Sequence, residues 1–329
     1  MLKIDRGIRC GEYFTVDPTV KSNLAIVSHA HSDHLKAHRE IVATAPTVEL
    51  ASLNYKRFEP HILNFYEKFE IGPAEIELAP AGHMLGSAQV ILDLSGERIV
   101  YTGDFKFNEN RTCARAEIHP CDTLLIDTTY GMPHYKFPKA EECGEMLVEF
   151  VFKNLKSGIT PVILAYSFGK AQEAMEILSR EDIETDVYKK IYSASKIYTK
   201  FGIDLGRFHL LEDRPVSGRA VILPPGAFRF VDSRGWGRYR TCFLSGWVVD
   251  RNRAFKNSDG FGIPLSDHAS FDDIVRYVET AKPRKVYTLF GPSRIAEYLK
   301  RIGFKAEALD LKTGRSTINH STGNLELFS

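Results

Sequence analysis

Residues 26–35 read IVSHAHSDHL, which places His29, His31, Asp33 and His34 within six positions directly after an apolar run. In an extended segment side chains alternate, so His29 and His31 point the same way, while Asp33 and His34 turn elsewhere once the loop curls. Imidazole nitrogen and carboxylate oxygen are donors that suit zinc, and a catalytic site holds the metal with one position left for water. The plain alternative, a solvated polar loop, has to account for an HxHxDH spacing that seldom arises by chance.

Other apolar runs end the same way. AEIELAPAGHMLGS brings His83 after an alternating strand, ERIVYTGDF brings Asp104 after a second, and DTLLIDTTYG brings Asp127 after a third. A single histidine near glycines is more often a turn residue, and a lone aspartate after a strand reads as a turn as well. Side chains just past the ends of neighbouring strands, however, converge on the crevice where α/β sheets keep their ligands. Small residues around His83 let the backbone crowd a metal centre. In that company His83 and Asp104 complete a ligand set with the HxHxDH cluster.

The whole chain sets the bounds. Its 329 residues, 43% of them hydrophobic, suffice for one or two cores, and composition does not choose between these. No apolar run approaches the roughly 20 residues that span a bilayer, so the expectation is an intracellular, cytoplasmic protein with no membrane role. Five scattered cysteines without a CxxC spacing fit reduced thiols packed in a core. A net charge of +1 neither demands nor excludes a polyanionic partner, because local patches make the field. Repeats and low-complexity tracts are absent from the sequence. Over residues 139–207 helical patterns such as AEECGEMLVEFVFKNLK and KAQEAMEILSRE alternate with the strand-like TPVILAYS. Near the end, IPLSDHASFDDIVRYVE predicts a loop and then a helix.

Two stretches bear on substrate. ILAYSFGKAQEAM ends a strand with Tyr166, Ser167 and Gly169 and opens a helix at Lys170, so amides, a hydroxyl and an ammonium meet where an anion would bind. By spacing alone, capping of that helix by Ser167 is the simpler account. Residues 228–256 hold Arg229, Arg234, Arg238, Arg240, Arg251, Arg253 and Lys256 interleaved with Trp236, Tyr239 and Trp247. Cations beside stacking rings are the ingredients of a single-strand groove, and TCFLSGWVV reads equally as a core strand with a solvated flank. VYKKIYSASKIYTK reads as a helix with an exposed basic face.

HAHSDH, GHMLGSA and YTGDF resemble the successive motifs of the metallo-β-lactamase fold, with Asp17 in FTVDP resembling its first, supporting aspartate. LLIDTTYGMPHYKFPKAEE, VILAYSFGKAQEAMEIL and IPLSDHASFDDI resemble the beta-CASP nucleases, in a prokaryotic or archaeal short form of the DNA cross-link repair branch that includes Artemis. The resemblance covers nearly the whole chain. It implies an αβ/βα four-layer sandwich built from residues 1–136 and 251–329, with an inserted beta-CASP α/β domain over 137–250. It implies two divalent metal ions, zinc first with manganese or magnesium as alternatives. One would be held by His29, His31 and His83, the other by Asp33, His34 and His268, with Asp104 bridging. Asp127 matches the family's acidic motif and would support a ligand histidine. Asp33, His34, His268 and Asp127 are then the catalytic set, with His268 a further candidate for protonating the leaving oxygen. Tyr166, Ser167, Gly169, Lys170 and Ser266 would contact substrate, which turns the anion site into a pocket for a terminal phosphate.

The partner implied is nucleic acid. RNA-processing relatives carry histidine in a strand-end HG near the C-terminus, whereas this chain reads YTLFGPS with Phe290 there, which favours DNA. The leading expectation is a metal-dependent 5′-to-3′ exonuclease of DNA repair working through a two-metal activated water. The alternative is an RNA-processing beta-CASP nuclease similar to an mRNA 3′-end processing factor. A lactonase or thioesterase would suit the metal cluster but not the inserted segment, and a non-catalytic binding subunit would have lost ligands.

Overall fold

The computed structural model describes residues 2–228, 235–250 and 261–317. The chain forms two compact units: one from the residues up to Phe107, Ala114–Lys136 and the chain from His268 onward, the other from Asn108–Cys113 and Phe137–Asp267. The return to the first unit therefore falls at His268, where the sequence reading places it at 251.

The first unit holds two sheets. Strands β1 (Leu2–Ile4), β2 (Ile8–Cys10), β3 (Phe14–Val16), β4 (Leu24–Ile26), β5 (Glu40–Ala43) and β6 (Glu59–Ile62) pair in sequence order in one six-stranded sheet. The next strands are β7 (Lys68–Ile71), β8 (Ala74–Pro80), β9 (Ala88–Leu94), β10 (Glu97–Tyr101) and β11 (Thr123–Asp127). Parallel pairing of β11 with β18 (Lys285–Leu289), and of β18 with β19 (Ala306–Ala308), completes a seven-stranded sheet of order β19-β18-β11-β10-β9-β8-β7.

Alternation along these strands builds the layers. Leu92, Ile99, Tyr101 and Leu125 face Ile8, Val16, Ile26 and Val42 of the first sheet, forming a buried core between the two sheets. Their chain neighbours Ile91, Val100, Leu124 and Ile126 face the other way, onto Phe271, Ile274, Tyr277 and Leu299. Those belong to helices Phe271–Ala281 and Arg294–Arg301. Ala25, Val27, Ile41 and Ala43 on the outer face of the first sheet pack on Ala51 of helix Ala45–Ser52. Helix, sheet, sheet and helix is the αβ/βα sandwich, and a period of two in the strands lets each one feed two cores.

The second unit is an α/β layer. Strands β12 (Thr160–Leu164), β13 (Thr185–Val187), β14 (Phe208–Leu210), β15 (Ala220–Leu223), β16 (Tyr239–Leu244) and β17 (Gly262–Ile263) form a sheet of order β14-β13-β15-β12-β16-β17, parallel at every pairing. The runs PVIL and AVIL are buried throughout, as central strands covered on both faces must be. Helices Ala140–Lys156, Lys170–Ser179 and Lys189–Lys200 connect them, the last burying Ile191, Ala194 and Tyr198. Among the described residues, no helix is long and apolar enough to cross a membrane.

The arginine-rich stretch resolves in part. Trp236 is buried in the core of this unit with its indole N–H on Asp213 O at 2.9 Å, and Tyr239 packs on the same core. Of the two residues of the core-strand reading, Phe243 lies in β16 and packs on this core, whereas Trp247 falls in the short 3-10 helix Gly246–Val249 and is half-buried. Arg229, Arg234, Arg251, Arg253 and Lys256 lie outside the described residues.

Candidate metal centre

His29, His83 and Asp104 stand just past the ends of β4, β8 and β10, and His268 just before helix Phe271–Ala281. After β4, Val27 still pairs with Val42 O at 2.9 Å before the chain turns. The amides of His34 and Leu35 both donate to His31 O, at 3.1 and 3.0 Å, and this turn curls SDH back on itself. It brings the His34 ring beside that of His29, with centroids 4.2 Å apart. His83 follows β8 in a tight loop. There Gly82 has φ +77°, and a Cβ would lie 2.1 Å from Lys106 O, so only glycine fits. Ser87 Oγ accepts from the amides of His83 and Met84, each at 3.1 Å, and fixes that loop. Downstream, Ser270 and Asp273 form a capping box that starts helix Phe271–Ala281 just after His268.

The side chains converge on Asp104. Its Oδ2 lies 3.4 Å from His29 Nε2, 3.6 Å from His83 Nε2 and 3.8 Å from His268 Nε2, and its Oδ1 lies 3.4 Å from His34 Nε2. His31 Nδ1 is 3.1 Å from His83 Nε2. Two carboxylates orient the rings from behind. Asp17 Oδ2 accepts from His34 Nδ1 at 2.7 Å, and Asp127 Oδ2 accepts from His268 Nδ1 at 2.8 Å. With Nδ1 held by a carboxylate, each Nε2 faces Asp104 and is the nitrogen that a metal ion would take once its proton is displaced. Asp127 is itself held, its Oδ1 accepting from Thr129 N at 2.8 Å and Thr129 Oγ1 at 2.6 Å.

Charge follows from this packing. Burial alone would raise the Asp104 pKa, but the charges of His34 and His268, with the His29 and His34 rings close beside it, hold it well below the usual carboxylate range. Burial disfavours a charged His34, yet the carboxylates of Asp104 and Asp17 lift its pKa well above the ordinary value. Burial holds His29 well below that value, and the neighbouring charge of His34 adds to the effect. Perturbed groups concentrated in one place are the electrostatic mark of a working site.

A divalent ion fits these residues. His29 Nε2 is buried with no hydrogen-bond partner, an arrangement that costs about 1–3 kcal/mol if nothing occupies the lone pair. Donors on a tetrahedral zinc with bonds of ~2.0–2.1 Å stand about 3.3 Å apart. The 3.1, 3.4 and 3.6 Å separations among His31, His83, His29 and Asp104 bracket that value. Two donor groups share Asp104: His29, His31, His83 and Asp104 form one, and Asp104, Asp127 and His268 form another. Asp33 stands apart, its side chain 77% exposed and its Oδ2 3.9 Å from His34 Nε2.

Supporting residues escaped the sequence reading. Asp17 also accepts from Ser28 N at 2.8 Å, Ser28 Oγ at 2.5 Å and Tyr101 Oη at 2.9 Å. Tyr101 is fully buried between the sheets. Its signal was the alternation of ERIVY, which turns Tyr101 to the inter-sheet face, but nothing local pairs it with Asp17. Phe290 follows β18 and its ring centroid lies 5.2 Å from that of His34.

The expected substrate residues of the second unit are arranged differently. Tyr166 is half exposed, Ser167 is partly buried, and Gly169 is the N-cap of helix Lys170–Ser179 with φ +84° and no side-chain cap. Ser167 therefore does not cap this helix. The phosphate role expected of Lys170 is corrected: its side chain is buried, with Nζ 2.7 Å from Asp267 Oδ1 and 3.1 Å from Leu265 O. A buried ammonium already neutralised by a carboxylate has no net charge to offer a phosphate. Lys170 N and Ala171 N donate to Phe168 O and Tyr166 O, which takes up two amides of the helix start as well. Ser266 is buried.

Comparison with known proteins places this geometry. A family model for the beta-lactamase superfamily domain matches residues 15–149. A probable DNA ligase of Opitutus terrae is 33% identical over 87% of this chain and 28% of its own length. An RNase J-like protein of Methanocaldococcus jannaschii is 31% identical over 47% of this chain and 42% of its own. The DNA cross-link repair 1A protein of mouse is 24% identical over 84% of this chain and 30% of its own. The chain thus spans less than half the length of each of these relatives. A crystal structure of a protein of unknown function from Enterococcus faecalis V583 superposes with a TM-score of 0.52 at 13% identity, over 80% of this chain and 74% of that one, and shares the fold. Residues 15–149 thus carry a beta-lactamase superfamily domain, on the αβ/βα fold described above.

Proposed function

We propose that this chain is a metal-dependent nuclease that hydrolyses phosphodiester bonds of DNA, as a 5′-to-3′ exonuclease in repair. The observation that carries the reading is the convergence of His29, His34, His83 and His268 on Asp104, with His29 Nε2 left without a hydrogen bond. His29, His31 and His83 would hold one ion and His34, His268 and Asp33 the second, with Asp104 lying within 3.4–3.8 Å of His29, His34, His83 and His268. Zinc suits these donors, with manganese or magnesium as alternatives. Divalent ions held by these residues would supply Lewis acidity, activating water and offsetting negative charge on the phosphodiester.

The protein's own contribution is orientation. Asp17 and Asp127 fix the tautomers of His34 and His268, so both Nε2 atoms face the reacting centre. Asp33 is the exposed member of the set, and a turn of its side chain would bring its carboxylate closer to His34. Because the His268 Nδ1 proton is committed to Asp127, His268 acts as a ligand rather than as the proton source for the leaving oxygen.

Three points favour DNA. Phe290 replaces the histidine of RNA-processing relatives. The mouse relative is named for DNA cross-link repair, and the Opitutus relative joins a segment like this chain to a protein named as a DNA ligase. The RNase J-like relative supports the alternative, an RNA-processing nuclease on the same centre. The 5′ polarity rests on the resemblance together with Tyr166, Ser167 and Ser266, because Lys170 is engaged by Asp267. On this reading residues 137–250 choose the substrate, and the enzyme works inside the cell on its nucleic acid.

The test is cleavage of 5′-phosphorylated single-stranded DNA and RNA of one sequence with zinc, manganese or magnesium, by wild type and His34→Ala. Release of mononucleotides from DNA, reduced at least about a hundredfold in His34→Ala, is the expected result. Faster attack on RNA, or cuts confined to internal bonds, would sink the exonuclease-on-DNA reading, and full activity in His34→Ala would sink the metal assignment.

A further inference from the structure

Phe290 has a backbone φ of +64°, in the left-handed region that bulky side chains avoid. The cause of this strain is local and specific. Thr128 N and Thr128 Oγ1 both donate to Leu289 O, each at 2.9 Å, which pins the chain just before Phe290. Just after it, Gly291 lies so close to Thr128 that a Cβ there would stand 1.7 Å from Thr128 O. Pinned on both sides, the chain turns the Phe290 ring outward, where it is 47% exposed. The ring is nonetheless beside the metal centre, tilted 58° to His34 with centroids 5.2 Å apart.

An exposed aromatic ring on a strained backbone gives folding neither burial nor ease. Glycine would adopt this φ freely, and a polar side chain would suit the exposure. Strain that the surroundings over-determine is typical of a side chain held ready for a ligand.

We propose that Phe290 is a stacking platform for the nucleobase that flanks the phosphate undergoing hydrolysis. The inference rests on the nuclease reading and adds a specificity-determining residue to it. Every base offers a π face, so the platform grips the strand without reading its sequence.

The experiment pairs an intact oligonucleotide with one that is abasic at the nucleotide flanking the scissile bond, using wild type, Phe290→Gly and Phe290→Trp. Phe290→Gly removes the ring at a φ that glycine accepts, so its melting temperature stays at or above that of wild type. Wild type should prefer the intact strand by roughly tenfold in kcat/KM, Phe290→Gly should lose that preference, and Phe290→Trp should restore it. A 2-aminopurine at the same nucleotide should be quenched on binding to wild type and not on binding to Phe290→Gly. Equal losses by Phe290→Gly on intact and abasic strands would overturn the platform. No cleavage of either strand by wild type would overturn the nuclease reading itself, and the platform with it.

Discussion

Two strand-end loops in this molecule carry the same kinds of residue and do opposite things with them. At the metal centre the polar atoms are aimed inward at one another, and His29 Nε2 is left without a hydrogen bond. At the start of helix Lys170–Ser179 the ammonium and the first amides are already matched: Lys170 Nζ has Asp267 and Leu265 O, and Lys170 N and Ala171 N have Phe168 O and Tyr166 O. A site that awaits a cation keeps donor atoms unspent, whereas a structural joint spends them. Residue type alone does not separate the two cases, since histidine, aspartate, serine and lysine serve in either.

The contrast breaks most readily at Lys170. Substituting Lys170→Met leaves Asp267 buried without its partner, and the expected loss of folding stability is about 3–5 kcal/mol. Denaturant titration measures it, and adding Asp267→Leu should recover most of the loss, as a matched pair of apolar groups would. A stability equal to that of wild type would mean that the ammonium is free to bind anions after all.

The second test acts on the metal centre from behind. Asp127→Asn keeps the shape but weakens the hold on the His268 ring, and divalent metal affinity should fall about 10–100-fold. Calorimetric titration of zinc or manganese into the metal-free protein reads this directly. Unchanged affinity would detach Asp127 from the site and make it a strand-end residue only. The smallest effect is expected at Tyr101→Phe, which removes one of the hydrogen bonds to Asp17 and should cost about 1 kcal/mol of stability. A cost of zero would show that Ser28 and His34 satisfy Asp17 by themselves.

The legible part of the site was the part encoded by short spacing. HxHxDH, GHMLGS and YTGDF each sit on one turn after one strand, so period-two alternation and turn residues announce them locally. Their convergence was an inference from strand ends and family resemblance, and the sandwich carries it out by stacking two sheets whose strands end on one side. What stayed hidden lies across long separations. Tyr101 reaches Asp17 over 84 positions, and Lys170 reaches Asp267 over 97. Neither residue has a neighbour in sequence that hints at its partner. The arginine and aromatic stretch was ambiguous for a related reason: an aromatic that stacks on a base and one that fills a core look the same in sequence, and burial places Trp236 in the core with Tyr239 packed against it.

The sequence by itself determined the chemistry available, because donor types and their spacing are local and survive any arrangement of the chain. It also placed an aromatic, Phe290, directly after the strand-end run YTL. Only the tertiary structure decided which of those donors are free to act. Whether an imidazole or an ammonium is spent depends on which distant carboxylate the fold brings within 3 Å, and whether Phe290 is exposed depends on how Thr128 pins the turn that carries it.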